Sequence, residues 1–139
     1  MSEQGNGRDV GILILRVGLG IIFMIHGFPK LAAGPEMWKG LGGAMGTLGL
    51  GFAPTFWGFM AGFAEFFGGL CLIVGVFFRL FCFLLAFTML VATLMHLSQH
   101  QGFTQASHAM ALLVVFVGLL IMGAGRFSLG EKLTVPFLK

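Results

Sequence analysis

A single carboxylate, Glu65, lies within an apolar stretch that is long enough to cross a lipid bilayer. The stretch begins near Pro54 and ends at Arg79, and a helix of that length spans a bilayer core of roughly 30 Å at about 1.5 Å per residue. Glu65 then lies near mid-depth, where a charge costs on the order of 3 kcal/mol on insertion scales. We therefore expect Glu65 to face protein and to have a partner there or hold a proton.

The composition is typical of integral membrane proteins. Hydrophobic residues make up 58% of the chain and charged residues 9%, with a mean hydropathy of +0.99, whereas soluble domains contain about 25% charged residues. The net charge of +3 comes from basic residues scattered along the chain, so they form no basic patch for nucleic acid. These features predict a small all-α membrane domain surrounded by lipid, with no nucleic-acid partner.

Hydropathy predicts four membrane-spanning helices and hence a four-helix bundle. The predicted spans are residues 10–31, 54–78, 80–97 and 107–123. Together they define a membrane domain over residues 10–126, with a flexible N-terminus at residues 1–9 and a C-terminal tail at residues 127–139. The connection at residues 32–52 is rich in glycine and contains Trp38 and Lys39, as expected of an amphipathic loop at the membrane interface. Glycines in the first two spans also predict a close crossing of these helices.

Loop charges predict the orientation of the bundle in the membrane. Four spans place both termini on one side, which has five basic residues: Arg8, Arg79, Arg126, Lys132 and Lys139. The opposite side has only Lys30 and Lys39. Because basic loops stay in the cytoplasm, the sequence predicts a multi-pass protein of the inner (plasma) membrane with both termini cytoplasmic.

Four segments of the chain resemble a known family. They read LRVGLGIIFMIHGFPKL in the first span, AEFFGGLCLIVGVFFRL in the second, TMLVATLMH in the third and GAGRFSLGEKL after the fourth. In this order they resemble the DoxX family of small four-helix membrane proteins, over residues 15–133. The resemblance implies a membrane subunit related to the small subunit of thiosulfate:quinone oxidoreductase and to membrane-associated oxidoreductase complexes.

Arg16 is the expected partner of Glu65. By residue counting, Arg16 lies about 10 Å from one face of the membrane and Glu65 about 16 Å from the other, a gap that a long side chain can bridge. We interpret the two as a catalytic pair in which Glu65 accepts a proton, or as a structural ion pair that docks the first span on the second. Alternatively, Arg16 reaches the headgroups, and Glu65 is protonated or paired with a histidine.

The histidines indicate a polar pocket at the outer ends of the spans. His26 and His96 end the first and third spans, His108 begins the fourth, and His100 follows His96 at helical spacing. With Lys30 one turn from His26, the candidate contacts for a quinone or other carbonyl-bearing or anionic headgroup are His26, Lys30, His96 and His100. A zinc, iron or copper ion held by His96, His100 and His108 is a second interpretation. In a third, His100 and His108 are solvated and His26 caps a helix end.

These features predict an accessory or quinone-interacting subunit of a membrane oxidoreductase system. The chain contains no flavin, haem or nucleotide motif, so a lipid-soluble ligand such as a quinone, or a partner chain, must supply any electron carrier. Two other classes remain open. One is a non-enzymatic assembly protein or self-associating homo-oligomer whose polar core only specifies packing, and the other is a small-solute or proton-coupled carrier.

Overall fold

A computed structural model describes residues 3–133 of the chain. Its elements are α1 (Glu3–Ala32), α2 (Pro35–Gly42), a 3₁₀ helix (Gly43–Leu48), α3 (Pro54–Val74), α4 (Phe78–Ser98), α5 (Phe103–Met122) and α6 (Leu129–Lys132). Helices α1, α3, α4 and α5 are long and apolar enough to cross a membrane. The predicted all-α four-helix membrane bundle is thereby confirmed, and these residues contain no strand.

Helices α1 and α3 begin or end at residues other than those predicted from hydropathy. Helix α1 begins at Glu3, so most of the N-terminal segment expected to be flexible is helical. There Asp9 is buried and accepts a hydrogen bond from the Arg126 backbone N–H at 3.3 Å. Helix α3 ends earlier than expected, at Val74, because Gly75 adopts a left-handed conformation (φ 77°) that closes the helix.

The C-terminal segment is also tied to the bundle. Ser128 is buried and caps α6 by accepting a hydrogen bond from Glu131 N–H, and Gly130 N–H donates to Gly75 O at 3.1 Å. Residues 127–133 of the predicted tail therefore dock against the end of α3. Residues 1, 2 and 134–139 lie outside the described part of the chain.

The glycine-rich connection between α1 and α3 contains two short helices and folds over one end of the bundle. A Cβ atom on Gly42 would overlap the carbonyl group of Pro54, and one on Gly58 would overlap the carbonyl group of Trp38. Helix α2 can therefore cross the start of α3 at backbone distance only because both positions are glycine. We call this the connection end of the bundle, and the end that contains Arg8 and Arg126 the terminal end.

Helices α1 and α3 cross tightly along their length. A Cβ atom on Gly20 would lie 2.6 Å from Gly69 O, and one on Gly69 would lie 2.5 Å from Gly20 O. Closer to the connection end, a Cβ atom on Gly27 would overlap the Phe66 amide nitrogen. These contacts set the antiparallel register that decides which polar side chains meet.

A core of large side chains joins the four long helices. Phe23 of α1 packs edge-to-face on Phe116 of α5, with ring centroids 5.0 Å apart. Leu72 of α3 and Leu85 of α4 belong to the same core and are completely buried. Other apolar side chains point outward, among them Ile14, Ile25, Val114 and Ile121. This pattern suits a bundle whose solvent is lipid.

Candidate functional site

Glu65 pairs with Lys30 at the connection end of the α1–α3 crossing. Glu65 lies mid-way along α3 and is 2% exposed, and Lys30 extends from the last turn of α1. Lys30 Nζ donates to Glu65 Oε1 at 2.7 Å and to Oε2 at 2.6 Å. The lysine therefore contacts both oxygens of the carboxylate and neutralises a charge that would otherwise be expensive at this depth.

The predicted pairing of Arg16 with Glu65 is wrong. Arg16 is also 2% exposed, but its Nη2 donates to Phe127 O, and the guanidinium lies against Gly75 and Ser128. The antiparallel register explains the error, since Gly27 rather than Arg16 lies beside Glu65. Arg16 is about 21 Å along α1 from Lys30, so it meets the end of α3 and the C-terminal segment instead.

Trp38 of α2 holds the backbone of Lys30 in place. Its Nε1 donates to Lys30 O at 2.8 Å, and its ring packs edge-to-face on Phe59 of α3 at 5.1 Å. Pro29 precedes Lys30 in the last turn of α1, where the missing proline N–H breaks the helical hydrogen-bond pattern. The Trp38 contact thus holds the backbone of Lys30 where the helix itself is weakest.

A cavity of about 510 Å³ lies beside the ion pair, at the connection end. The 3₁₀ helix, α3 and α4 form most of its wall, and its polar lining residues are Lys30, Glu65, Trp57, Thr88 and His96. The rest of the lining is apolar and includes Phe56 and Phe83. Both of these phenylalanines are more than half exposed on the outer face of the bundle. The cavity therefore reaches the part of the surface that faces lipid.

Some polar groups of the cavity form hydrogen bonds within the protein and others do not. Thr88 Oγ1 donates to Leu84 O at 2.9 Å, and His96 Nδ1 lies 2.7 Å from Gln101 Oε1. The Trp57 Nε1–H is buried and has no hydrogen-bond acceptor among residues 3–133. The second ring nitrogen of His96 and the third N–H of the Lys30 ammonium group are the polar groups that remain for a ligand.

Only some of the predicted site residues meet in this cavity. Glu65, Lys30 and His96 line it. His26 is exposed on α1 with Nδ1 2.9 Å from Ile22 O, and His100 and His108 are exposed near the start of α5. Within the described range, no three histidine, cysteine, aspartate or glutamate side chains form a group suited to a metal ion.

Sequence analysis missed two polar residues of the cavity, Thr88 and Trp57. Trp57 lies one turn after Pro54 in a stretch with Phe52, Phe56 and Phe59, where a tryptophan is typical of an anchor at the membrane interface. A signal was present, since an indole N–H inside an apolar span needs an acceptor. Burial of that N–H without one becomes visible only when the connection is seen folded against α3.

A smaller cavity of about 350 Å³ lies at the terminal end and is lined by charged side chains. Arg8 Nη2 donates to Met122 O at 3.1 Å, and Arg126 Nε lies 4.0 Å from Asp9 Oδ2. These contacts join the start of α1 to the chain that follows α5. We interpret them as a solvent-facing network that closes this end of the bundle.

Comparison with known proteins identifies a family. The family model of DoxX matches residues 11–98, which covers most of α1 and all of α2, α3 and α4. The matched range includes all the polar residues that line the larger cavity, which are Lys30, Trp57, Glu65, Thr88 and His96. No curated protein and no solved structure matches the chain.

Proposed function

The chain belongs to the DoxX family of small membrane proteins, and on that premise we propose that it binds a quinone or similar lipophilic carbonyl compound as an accessory subunit of a membrane oxidoreductase system. The observation behind this proposal is the cavity that joins a buried Lys30–Glu65 pair to the lipid-facing surface. Ligand cavities of about 300–1,000 Å³ with a few polar groups on an apolar wall are typical of small-molecule sites.

The polar lining suits a headgroup that exchanges protons. Lys30 and His96 can hydrogen-bond to a carbonyl oxygen. Glu65, held at both oxygens by Lys30, can accept the proton that a hydroxyl of the reduced headgroup gives up on oxidation. The apolar wall around Phe56 and Phe83 would hold the ring and tail. Electrons would come from the ligand or from a partner chain, in line with the subunit role.

We propose the plasma membrane as the location, with the terminal end in the cytoplasm. The described part of the terminal end has Arg8, Arg79, Arg126 and Lys132, whereas the connection end has Lys30 and Lys39. The positive-inside rule supports this orientation. The cavity would then open into the outer half of the bilayer.

Quinone binding can be tested by tryptophan fluorescence, because Trp38 and Trp57 are the only tryptophans of the chain. With the protein in lipid nanodiscs, decylbenzoquinone should quench the emission with a saturable dependence on its concentration. We expect Glu65→Gln and His96→Ala each to weaken binding about fivefold or more, since the first removes the charge that holds Lys30 and the second removes a hydrogen-bonding ring from the cavity. His108→Ala is the matched control because His108 is exposed and does not line the cavity.

Quenching that rises linearly with quinone and never saturates would overturn the proposal. The alternative of a non-enzymatic assembly protein is favoured by one observation, the mutual satisfaction of Lys30 and Glu65 within the chain. It would be supported if Glu65→Gln and His96→Ala left binding unchanged while Glu65→Gln lowered thermal stability.

A further inference from the structure

Arginines from three parts of the chain meet at the smaller cavity, beside the end of α5. Arg8 of α1 donates from Nη2 to Met122 O at 3.1 Å. A Cβ atom added to Gly123 would lie 3.7 Å from Nη2 of Arg79, so the Arg79 guanidinium lies near the residue that follows α5. Arg126 is the third arginine on the wall of this cavity, whose volume is about 350 Å³. Helices α1 and α4 and the segment after α5 thus each bring one arginine to the same place.

The charges that line this cavity do not balance. Arg126 pairs with Asp9, whose Oδ2 lies 4.0 Å from its Nε, and Glu131 is the second carboxylate of the wall. Three arginines and two carboxylates leave an excess of one positive charge. Arg79 is exposed and forms no hydrogen bond or ion pair with any other residue in the described part of the chain. Its five N–H groups are therefore accessible donors for an anion.

The cavity lies at the level where two membrane helices begin or end. Helix α4 begins at Phe78 and α5 ends at Met122, which places Arg79 near the depth of the lipid headgroups. Apolar side chains that face lipid lie next to it in the sequence of both helices: Leu80 is 52% exposed and Ile121 is 72% exposed. A ligand bound here would meet cationic groups at its polar end and lipid-facing side chains beside them.

This combination suits a phospholipid more than a free anion. Guanidinium groups bind phosphate oxygens through paired, charge-assisted hydrogen bonds, and basic pockets between membrane helices bind anionic headgroups. A phosphodiester carries one negative charge, which would neutralise the excess charge of the cavity. The exposed side chains of Leu80 and Ile121 would then contact the acyl chains.

We propose that the smaller cavity binds the phosphodiester headgroup of an anionic phospholipid such as phosphatidylglycerol, with Arg79 as the main contact and Arg8 as the second. The site lies at the opposite end of the bundle from the Lys30–Glu65 pair. It is therefore independent of the proposed quinone site, and each can be tested without the other.

Native mass spectrometry of the protein from detergent micelles can compare phosphatidylglycerol with phosphatidylcholine of the same acyl chains. The wild-type protein should bind phosphatidylglycerol about tenfold more tightly. Arg79→Gln should lower that preference about fivefold or more, because it removes the cation that has no partner in the chain. Lys132→Gln is the matched control, since it removes the same charge at the same end but Lys132 does not line the cavity. The preference should persist in that variant.

Thermal unfolding provides a second measurement. Phosphatidylglycerol should raise the Tm of the wild-type protein above its value in phosphatidylcholine. Arg79→Gln should lose that increase and keep the wild-type Tm in phosphatidylcholine, because Arg79 has no hydrogen bond to lose in the described part of the chain.

Equal affinity of the wild-type protein for the two lipids would overturn the proposal. An equal loss of preference in Arg79→Gln and Lys132→Gln would also overturn it, because it would show a diffuse attraction of lipid to the basic end of the bundle. Displacement of phosphatidylglycerol by an equimolar amount of inorganic phosphate would identify a free phosphate as the ligand and overturn the lipid. None of these results would change the proposal of a quinone in the larger cavity.

Discussion

Lys30 and Glu65 depend on each other unequally, because their side chains are 30% and 3% exposed. Without Lys30, the carboxylate of Glu65 has no hydrogen-bond donor among residues 3–133. Without Glu65, the ammonium of Lys30 can extend toward the membrane surface. We therefore expect Lys30→Met to lower the free energy of unfolding by about 3 kcal/mol, near the low end for a broken buried pair, and Glu65→Gln to lower it less.

Thermal or denaturant unfolding in detergent would measure both variants, with Lys39→Met on exposed α2 as the control. The double variant should be more stable than Lys30→Met alone, since it removes the unpaired carboxylate. Additive losses in the double variant would show that the two groups do not interact in the folded protein.

The sequence predicted which polar residues belong to the site better than it predicted which of them form pairs. An acid at mid-depth predicts a partner, and Lys30, Glu65 and His96 were all among the candidates. Choosing Lys30 over Arg16 as the partner would have required the register of α1 against α3, which depends on where Gly20 and Gly27 meet the backbone of α3. A residue count from the predicted span ends cannot supply that register, because α1 begins at Glu3 and not at Val10.

At the scale of the helices, glycine spacing decides how closely α1 and α3 approach. We expect Gly27→Ala to destabilise the bundle by about 2 kcal/mol or more, because the new methyl group would overlap the Phe66 backbone and force the helices apart. Gly18→Ala is the matched control on the same helix, where a Cβ atom meets nothing within 4 Å in the described chain.

The control should be neutral or slightly stabilising, since alanine favours a helix by about 1 kcal/mol over glycine. Unfolding of both variants under one set of detergent conditions would provide the comparison. Equal changes in stability for the two variants would mean that the close α1–α3 contact at Gly27 does not limit the size of the side chain there.

Helix existence was easier to predict than helix ends. Hydropathy indicates four apolar segments because burial in lipid requires them. The ends depend on partners far away in sequence, such as Arg126 for Asp9 at the start of α1 and Gly130 for Gly75 at the end of α3. Helix α2 and the 3₁₀ helix were likewise hidden in a glycine-rich segment, because their packing on α3 needs glycine for close approach rather than for flexibility.

At the scale of the whole molecule, the two ends of the bundle differ in character. The terminal end is closed by the contacts of Arg8 with Met122 and of Asp9 with Arg126, and by the docked C-terminal segment. The connection end holds the cavity and its ion pair. Hydropathy does not predict such a cavity, since it arises where α2 and the 3₁₀ helix fold over α3 and α4. The orientation of the bundle therefore decides which leaflet the cavity opens to.

Cysteine labelling can determine that orientation. In a background with Cys71 and Cys82 replaced by alanine, Gly7→Cys marks the terminal end and Gly40→Cys the connection end. Both glycines are exposed, and a Cβ atom at either meets no described atom within 4 Å. If the terminal end lies in the cytoplasm, as we propose from its basic residues, a membrane-impermeant maleimide should label Gly40→Cys in intact spheroplasts and Gly7→Cys only after permeabilisation. The reverse pattern would contradict the orientation and place the cavity in the cytoplasmic leaflet, where a ligand would enter from the opposite side.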